Sequence, residues 1–210
     1  MPNLFVYIRR GFKRKIKVNF LNFREIPDFL VVSPGGCGSI SLIKYLDNFG
    51  KSNLYFERKY QFFGLGHIYK PAKFLFNNKV KVIIIKRNFE DIYNSMVSRG
   101  FIKISLNSFG DPLPFIYKNI LKDEKKLKKK YLTYLEKFYF NWEKYYPELI
   151  LKVTYPQLYK DLDCKIKIKN FLSIKKNNFL NNFPKFERYN QDKDFIDPST
   201  ILMKSIHNDL

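Results

Sequence analysis

The sequence predicts an α/β fold with a mainly parallel central sheet, because two strand–loop–helix units follow one another in the first half of the chain. The first unit starts with the apolar run at residues 29–32, passes through a Gly-rich turn and continues into a helical pattern that ends at Gly50. The second starts with the β-branched run at residues 80–85 and continues into a helical pattern that ends at Gly100. Near-continuous apolar runs of this kind are typical of strands that are covered on both faces of a parallel sheet.

The second half of the chain is predicted to be rich in helix, with one further strand. A charged helical pattern covers residues 117–146, which we expect to be broken into two pieces, and a shorter one covers residues 165–172. Residues 149–155 form the third predicted strand, and residues 101–116 are predicted to form a loop. A chain of 210 residues is long enough for one core and short for two, so we expect a single domain over residues 1–210.

The chain is strongly basic. It has 39 Lys and Arg residues against 19 Asp and Glu residues, which gives a formal net charge of +20 at pH 7. A field of this sign raises the local concentration of polyanions and of phosphorylated ligands. Because Lys, Asn, Ile, Phe and Tyr are all abundant, a compositional bias of the genome explains the charge equally well. The charge therefore narrows the class of partner without selecting one.

The sequence also indicates the cellular compartment and whether a metal is expected. The two cysteines, Cys37 and Cys164, favour a reducing compartment over a secreted disulfide scaffold. His67 and His207 are not spaced with them as metal ligands, so no metal is expected. No apolar run is long enough to cross a membrane, and the basic residues 1–17 lack the apolar core of a signal peptide. We expect a cytoplasmic protein, with attachment of residues 1–17 to a membrane surface as the alternative.

The Gly-rich turn at residues 33–41 is a candidate anion site. Backbone N–H groups converge in such a turn, and the helix that follows adds the positive end of its dipole. The glycines leave room for a phosphate to approach, and the serines can donate hydroxyl hydrogen bonds. The residues expected to contact the anion are Gly35, Gly36, Cys37, Gly38, Ser39, Ile40 and Ser41. The alternative is a turn that needs glycine only for its backbone conformation. Cys37 has two interpretations of its own: a reactive thiol of lowered pKa, or a small residue that fits the turn.

The spacing of the glycines excludes two common nucleotide motifs. A Walker A loop has the pattern G-x-x-x-x-G-K-[ST], but Gly38 is followed directly by Ser39 with no lysine. The dinucleotide pattern G-x-G-x-x-G is also absent, because the glycines fall at positions 35, 36 and 38. A conventional ATPase or dehydrogenase is therefore disfavoured.

A second anion-binding element is predicted at the end of the second strand. Arg87 lies at the carboxyl end of that strand, where open α/β sheets bind ligands. Ser95 follows eight residues later, on the second turn of the next helix. A guanidinium fork and a hydroxyl from an adjacent helix together suit a terminal phosphate.

Together the two segments resemble the sulfotransferase family that uses 3′-phosphoadenosine 5′-phosphosulfate (PAPS). Residues 34–39, P-G-G-C-G-S, resemble the loop P-K-S-G-T-T, which holds the 5′-phosphosulfate. Residues 87–95, R-N-F-E-D-I-Y-N-S, resemble R-[ND]-P-x-D-x-x-x-S, whose Arg and Ser hold the 3′-phosphate, with Phe89 in place of Pro. The resemblance covers residues from about 28 to 173. It implies a three-layer α/β/α fold similar to that of P-loop NTPases, with PAPS as the cofactor.

The resemblance also implies roles for residues outside these segments. In cytosolic sulfotransferases a histidine at a similar distance before the arginine is the general base, which implies that role for His67. A nearby carboxylate such as Glu57 is the alternative base. Tyr155 matches a tyrosine that often lies near the adenine. The alternatives without a functional role are a surface or capping position for His67 and a core position for Tyr155.

Two departures from the family pattern concern the loop. The loop lysine of the family, which stabilises charge on the leaving phosphate, is replaced by Gly36, and its substitutes from other elements are Lys70, Lys73 and Lys86. The aromatic residue that stacks on the adenine corresponds to Ser41. Loss of one electrostatic stabiliser lowers an enzymatic rate by roughly 10²–10³-fold. The sequence therefore supports nucleotide binding more strongly than catalysis.

The expected function is transfer of a sulfuryl group from PAPS to a hydroxyl or amine of an acceptor, with a carbohydrate among the candidate acceptors. Two other functions remain open. A P-loop kinase-like phosphotransferase would bind ATP with Mg²⁺, although the chain has no GK[ST] run and no paired acidic site for that ion. A basic binding module would bind nucleic acid or an anionic polysaccharide with a steep dependence on salt, nucleic acid being the less expected partner.

Overall fold

The computed structural model describes residues 25–60, 65–102, 105–106 and 123–185. The strands are β1 (Phe29–Val32), β2 (Lys81–Lys86) and β3 (Ile150–Thr154). The helices are α1 (Ser39–Leu46), α2 (Asn53–Tyr60), α3 (Lys73–Asn78), α4 (Phe89–Ser98), α5 (Glu124–Glu143), α6 (Gln157–Lys160) and α7 (Leu162–Phe171), with 3₁₀ turns at Leu65–His67, Pro147–Leu149 and Asn177–Phe179. None of these described helices is both long enough and apolar enough to cross a membrane. The basic residues 1–17, His207 and most of the predicted loop at 101–116 lie outside the described residues.

The three strands form one parallel sheet in the order β1-β2-β3. In the centre of the sheet Val31 pairs with Ile83, which pairs in turn with Leu151. All of β1 and the four inner residues of β2 are buried, as expected for strands covered on both faces. In β3 Val153 is buried and its neighbours are partly or fully exposed. The α/β class and the parallel sheet predicted from the apolar runs are confirmed.

Helix α5 is continuous over its 20 described residues, so the break expected in this helical pattern does not occur between Glu124 and Glu143. Its buried residues recur every three or four positions and form one apolar stripe, which packs against α4. They are Tyr131, Leu135, Phe138, Tyr139 and Trp142. The lysines at its start lie mostly off this stripe and in solvent, which is why a highly charged segment remains a single helix.

Aromatic side chains of α5 and of the residues just after it connect this helix to β2 and to the segments that precede β2. Three of them bury their rings and donate a hydrogen bond to a backbone carbonyl. The bonds run from Tyr139 to Ile85 (3.1 Å), from Trp142 to Ile68 (3.0 Å), and from Tyr145 to both Leu75 and Val80 (2.8 Å each). Because the polar end of each ring is satisfied, these large side chains add apolar burial without leaving an unpaired donor.

The outer edge of β1 is closed by a side chain. Asn53, which is fully buried, accepts a hydrogen bond from Val31 N–H (2.8 Å) and donates one to the Val31 carbonyl (2.9 Å). Its amide thus replaces a neighbouring strand at that position. Two residues further along, Ser33 N–H donates to the Gly66 carbonyl at 2.8 Å, so the 3₁₀ turn at Leu65–His67 continues the edge.

We expect Asn53→Ala to lower the free energy of unfolding by about 2–5 kcal/mol, because it leaves a buried N–H and a buried carbonyl of Val31 without partners. Urea denaturation followed by circular dichroism measures the change. Asn48→Ala is the matched control: Asn48 is exposed and bonds the carbonyl of Tyr45 at 3.0 Å, so its loss should cost within about 0.5 kcal/mol. Equal effects of the two substitutions would contradict the role of Asn53 at the edge.

Candidate functional site

The loop between β1 and α1 contains three glycines in left-handed backbone conformations. Gly35, Gly36 and Gly38 have φ angles of 94°, 66° and 66°, in the region that L side chains rarely adopt. Gly38 precedes the first residue of α1 and has no side chain to cap the helix, and the first turn carries no acidic residue. The N-cap residue thus offers no side-chain acceptor to the first N–H groups of α1, which makes them candidates for binding an exogenous anion.

Two tyrosines after β3 fix the position of Gly38. Tyr159 donates a hydrogen bond to the Gly38 carbonyl at 2.6 Å. The ring of Tyr155 packs directly on the glycine, so that a Cβ added at Gly38 would lie 2.7 Å from Tyr155 Cε2. The loop is thus held from the β3 side as well as by its own strand, and glycine is required at position 38 for space as well as for φ.

Arg87 joins the two segments that the sequence singled out. Its Nη1 donates to the Gly36 carbonyl at 2.6 Å, and its guanidinium carbon lies 4.8 Å from the centre of the Tyr155 ring. The Nε atom lies 3.8 Å from Asp91 Oδ2, one turn into α4. The structure therefore brings Arg87, Tyr155 and the glycine loop together at the carboxyl ends of β1, β2 and β3, where parallel sheets bind ligands.

Helix α4 presents one face to the loop. Asn88 caps it by accepting hydrogen bonds from the N–H groups of Glu90 (2.9 Å) and Asp91 (3.3 Å). A Cβ at Gly36 would lie 3.4 Å from the Ile92 carbonyl oxygen, so the loop rests against the helix backbone. Ser95 is three residues after Ile92, is half-buried, and shares this side of the helix.

Arg99 is a residue of this site that sequence reasoning missed. Its Nη2 would lie 3.5 Å from a Cβ at Gly36, and its Nε donates to the Ser95 carbonyl at 2.8 Å. The available signal was its spacing: a residue four positions after Ser95 lies on the same helix face. The family motif ends at the serine, so the motif alone does not include Arg99.

The serines of the loop have different environments. The Ser39 side chain is buried and accepts a hydrogen bond from Ser33 Oγ at 3.1 Å, so its hydroxyl serves the interior of the turn. Because Ser39 accepts in this bond, its own hydroxyl hydrogen is not used by it, and the expected contact of Ser39 with an anion stays a prediction. Ser41 and Ile40 are exposed on the first turn of α1, Ile40 with 57% of its surface accessible.

His67 lies on the side of the loop opposite Arg87. Its Nδ1 is 2.8 Å from the carbonyl oxygen of Ser33. Because a carbonyl can only accept, Nδ1 carries the proton of this hydrogen bond, and Nε2 is the nitrogen that can take up a proton. The tautomer is the one that a general base acting through Nε2 requires. Glu57, the alternative base, lies on α2.

Cys37 faces the interior of the turn. The side chain is fully buried, its Sγ donates to the Gly35 carbonyl at 3.2 Å, and burial raises the pKa of the thiol to about 12. The positive charges of Arg87 and Arg99 lower that pKa but are outweighed by burial. The structure agrees with a small residue that fits the turn, and not with a reactive thiolate.

The lysines expected to replace a loop lysine do not converge on the loop among the described contacts. Lys86 Nζ lies 3.5 Å from Glu143 Oε1 and 5.5 Å from the centre of the Tyr139 ring. Lys70 is exposed, and the Lys73 side chain lies outside what the structure describes. Among the described residues, no group of three or more His, Cys, Asp or Glu side chains is placed to hold a metal ion.

No protein-family model matches this chain, and no curated protein or solved structure matches it either. The chemistry of the site must therefore be inferred from its own residues. Two guanidinium groups lie beside a turn of positive-φ glycines at a helix start. On the other side, the imidazole of His67 bonds the carbonyl of Ser33, where the turn begins.

We expect Gly38→Ala to destabilise the fold by about 1–3 kcal/mol more than Gly100→Ala. Both glycines have positive φ (66° and 68°), but a Cβ at Gly100 meets nothing within 4 Å, whereas one at Gly38 strikes the Tyr155 ring. Thermal or urea unfolding of the two variants measures the difference. Adding Tyr155→Ala to Gly38→Ala should recover part of the loss. Equal destabilisation at both glycines would show that Tyr155 does not constrain the loop.

We expect Cys37 to resist thiol reagents in the native protein at pH 8, because a thiol with a pKa of about 12 is almost wholly protonated there. In Cys164→Ser, where Cys37 is the remaining thiol, labelling with a disulfide reagent should become fast only in denaturant. The wild type should label at Cys164, which is partly exposed. Rapid labelling of native Cys164→Ser would contradict the buried position of Cys37.

Proposed function

We propose that the chain is a sulfotransferase-like enzyme that binds PAPS and transfers its sulfuryl group to a hydroxyl or amine acceptor. The observation that supports this most directly is the 2.6 Å hydrogen bond from Arg87 Nη1 to the Gly36 carbonyl. It joins the two segments that resemble the phosphosulfate loop and the 3′-phosphate motif. The three-layer, P-loop-NTPase-like arrangement implied by that resemblance is part of the same proposal.

The residues around the loop fit the phosphates of such a nucleotide. The glycine turn and the uncapped start of α1 offer N–H groups and a helix dipole to the 5′-phosphosulfate. Arg87 lies just before α4, and Ser95 lies on the second turn of that helix. From these positions the two residues would hold the 3′-phosphate. The Tyr155 ring, already packed between Gly38 and Arg87, offers an aromatic edge to the base.

The bound nucleotide would supply a sulfuryl group activated by the adjacent phosphate. His67, with its proton on Nδ1 bonded to Ser33, would take the acceptor proton on Nε2 as the acceptor oxygen or nitrogen bonds to sulfur. Transfer would cleave the bond between sulfur and the bridging phosphate oxygen, with adenosine 3′,5′-bisphosphate as the leaving group. Positioning and charge stabilisation by the loop carry this reaction, because no residue needs to become covalently modified.

The acceptor class is suggested by charge alone. Helix α5 carries an exposed row of cations, which a negatively charged or saccharide acceptor would complement. These are Lys125, Lys126, Lys129 and Lys137. The same row is the observation in favour of a second candidate function, a basic module that binds nucleic acid or anionic polysaccharide.

We expect adenosine 3′,5′-bisphosphate to bind with a Kd in the micromolar range and to stabilise the protein in a thermal-shift assay, because its two phosphates match the two anion elements. Titration calorimetry checks the affinity. Arg87→Ala should weaken binding by about tenfold or more, since it removes a charge-assisted contact. Arg58→Ala is the control: it also removes one positive charge, on an exposed residue that pairs with Asp47 at the opposite end of α1 from the loop.

Three outcomes would contradict this proposal. Preferential stabilisation by ATP with Mg²⁺ would favour a kinase-like phosphotransferase. Equal binding of the bisphosphate by Arg87→Ala and by the wild type would remove Arg87 from the site. Tight, sequence-indifferent binding of polyanions that falls steeply with salt, without any nucleotide binding, would favour the basic module.

A further inference from the structure

We infer that Arg99 supplies the cation that the glycine loop lacks, and that it binds the phosphate at the 5′ end of the nucleotide. This inference rests on the proposed function, because it assigns a residue to the same site. Position 36, where the resemblance implies a lysine, is a glycine in this chain. The guanidinium of Arg99 reaches the loop at that same position from the neighbouring helix.

The distance carries the assignment. A Cβ at Gly36 would lie 3.5 Å from Arg99 Nη2. In a lysine at position 36, the ammonium would be separated from its own Cβ by three further methylenes. The guanidinium of Arg99 therefore lies within the space that such a lysine side chain would occupy. Gly36 has a φ of 66°, so a side chain there would be strained as well as crowded. Glycine at position 36 and arginine at position 99 therefore fit each other, because the absence of a side chain on Gly36 leaves room for the guanidinium of Arg99.

Arg99 is held in place before any ligand binds. Nε donates to the Ser95 carbonyl at 2.8 Å, Nη2 contacts Met96 Sδ at 3.2 Å, and the guanidinium carbon lies 5.5 Å from the centre of the Phe101 ring. The side chain is half-buried along the last turn of α4. A preplaced guanidinium loses little conformational freedom on binding, and its planar fork suits a phosphate.

The two arginines flank Gly36 and divide the phosphates between them. Arg87 holds the Gly36 carbonyl from the β2 end, whereas Arg99 lies beside the Gly36 Cα from the far end of α4. The positive charge of each also lowers the pKa of the Cys37 thiol in the turn, against the larger effect of burial, which raises it. In this division Arg87 with Ser95 serves the 3′-phosphate and Arg99 serves the 5′-phosphate.

The test compares ligands that differ by one phosphate. Titration calorimetry is run with adenosine 3′,5′-bisphosphate and with adenosine 3′-monophosphate on the wild type, Arg99→Gln and Arg99→Lys. Glutamine keeps an amide donor toward the Ser95 carbonyl while it removes the charge, so we expect the fold to be preserved, which thermal unfolding checks. Arg58→Gln is the matched control, because Arg58 is exposed and pairs with Asp47 (3.1 Å) at the opposite end of α1 from the loop.

We expect Arg99→Gln to weaken the bisphosphate by about tenfold or more and to leave the 3′-monophosphate within about twofold of the wild-type affinity. Arg99→Lys should recover part of the loss, and Arg58→Gln should change neither ligand. An unchanged affinity for the bisphosphate in Arg99→Gln, or an equal loss for both ligands, overturns the assignment while leaving the proposed function intact. A wild type that binds neither nucleotide overturns the proposed function, and this assignment with it.

Discussion

The parallel pairing of β1 with β2 brings together the two segments on which the candidate site depends, the glycine loop and the start of α4. Both strands end at the same edge of the sheet, so the loop after β1 and the helix start after β2 emerge side by side. Arg87 then needs only its own side chain to reach the Gly36 carbonyl. The third strand brings Tyr155 to the same edge through a backbone hydrogen bond of 2.7 Å from its N–H to the carbonyl of Lys86.

A second theme is the use of aromatic side chains as links between a helix and a backbone carbonyl. With aromatics at 18% of the sequence, tyrosine and tryptophan fill positions where a shorter aliphatic residue would pack but could not satisfy a polar group. Tyr139 connects α5 to the carboxyl end of β2, and Tyr159 connects the segment after β3 to the glycine loop. Each link adds a hydrogen bond near the loop end of the sheet, where an anion would meet the backbone.

The sequence was sufficient for the elements that depend on local pattern. Apolar runs located the strands, and the step from Arg87 to Ser95 placed both residues on the unit beside the loop. Contacts between distant parts of the chain could not be predicted from the sequence. Nothing in the pattern shows that Asn53 bonds Val31, because that depends on where α2 packs. Nor does a motif that ends at Ser95 reveal Arg99, whose role depends on how the loop lies against α4.

The amide of Asn53 has a consequence for the behaviour of this protein among other copies of itself. The residues of β1 are all apolar and uncharged, and an unprotected strand of that kind templates pairing with strands of other molecules. The outward N–H and carbonyl of Val31 are both occupied by Asn53, and those of Ser33 by Gly66 and His67. An incoming strand would find the hydrogen-bonding positions of Val31 and Ser33 already taken, so we expect this closed part of the β1 edge to disfavour fibrillar aggregation.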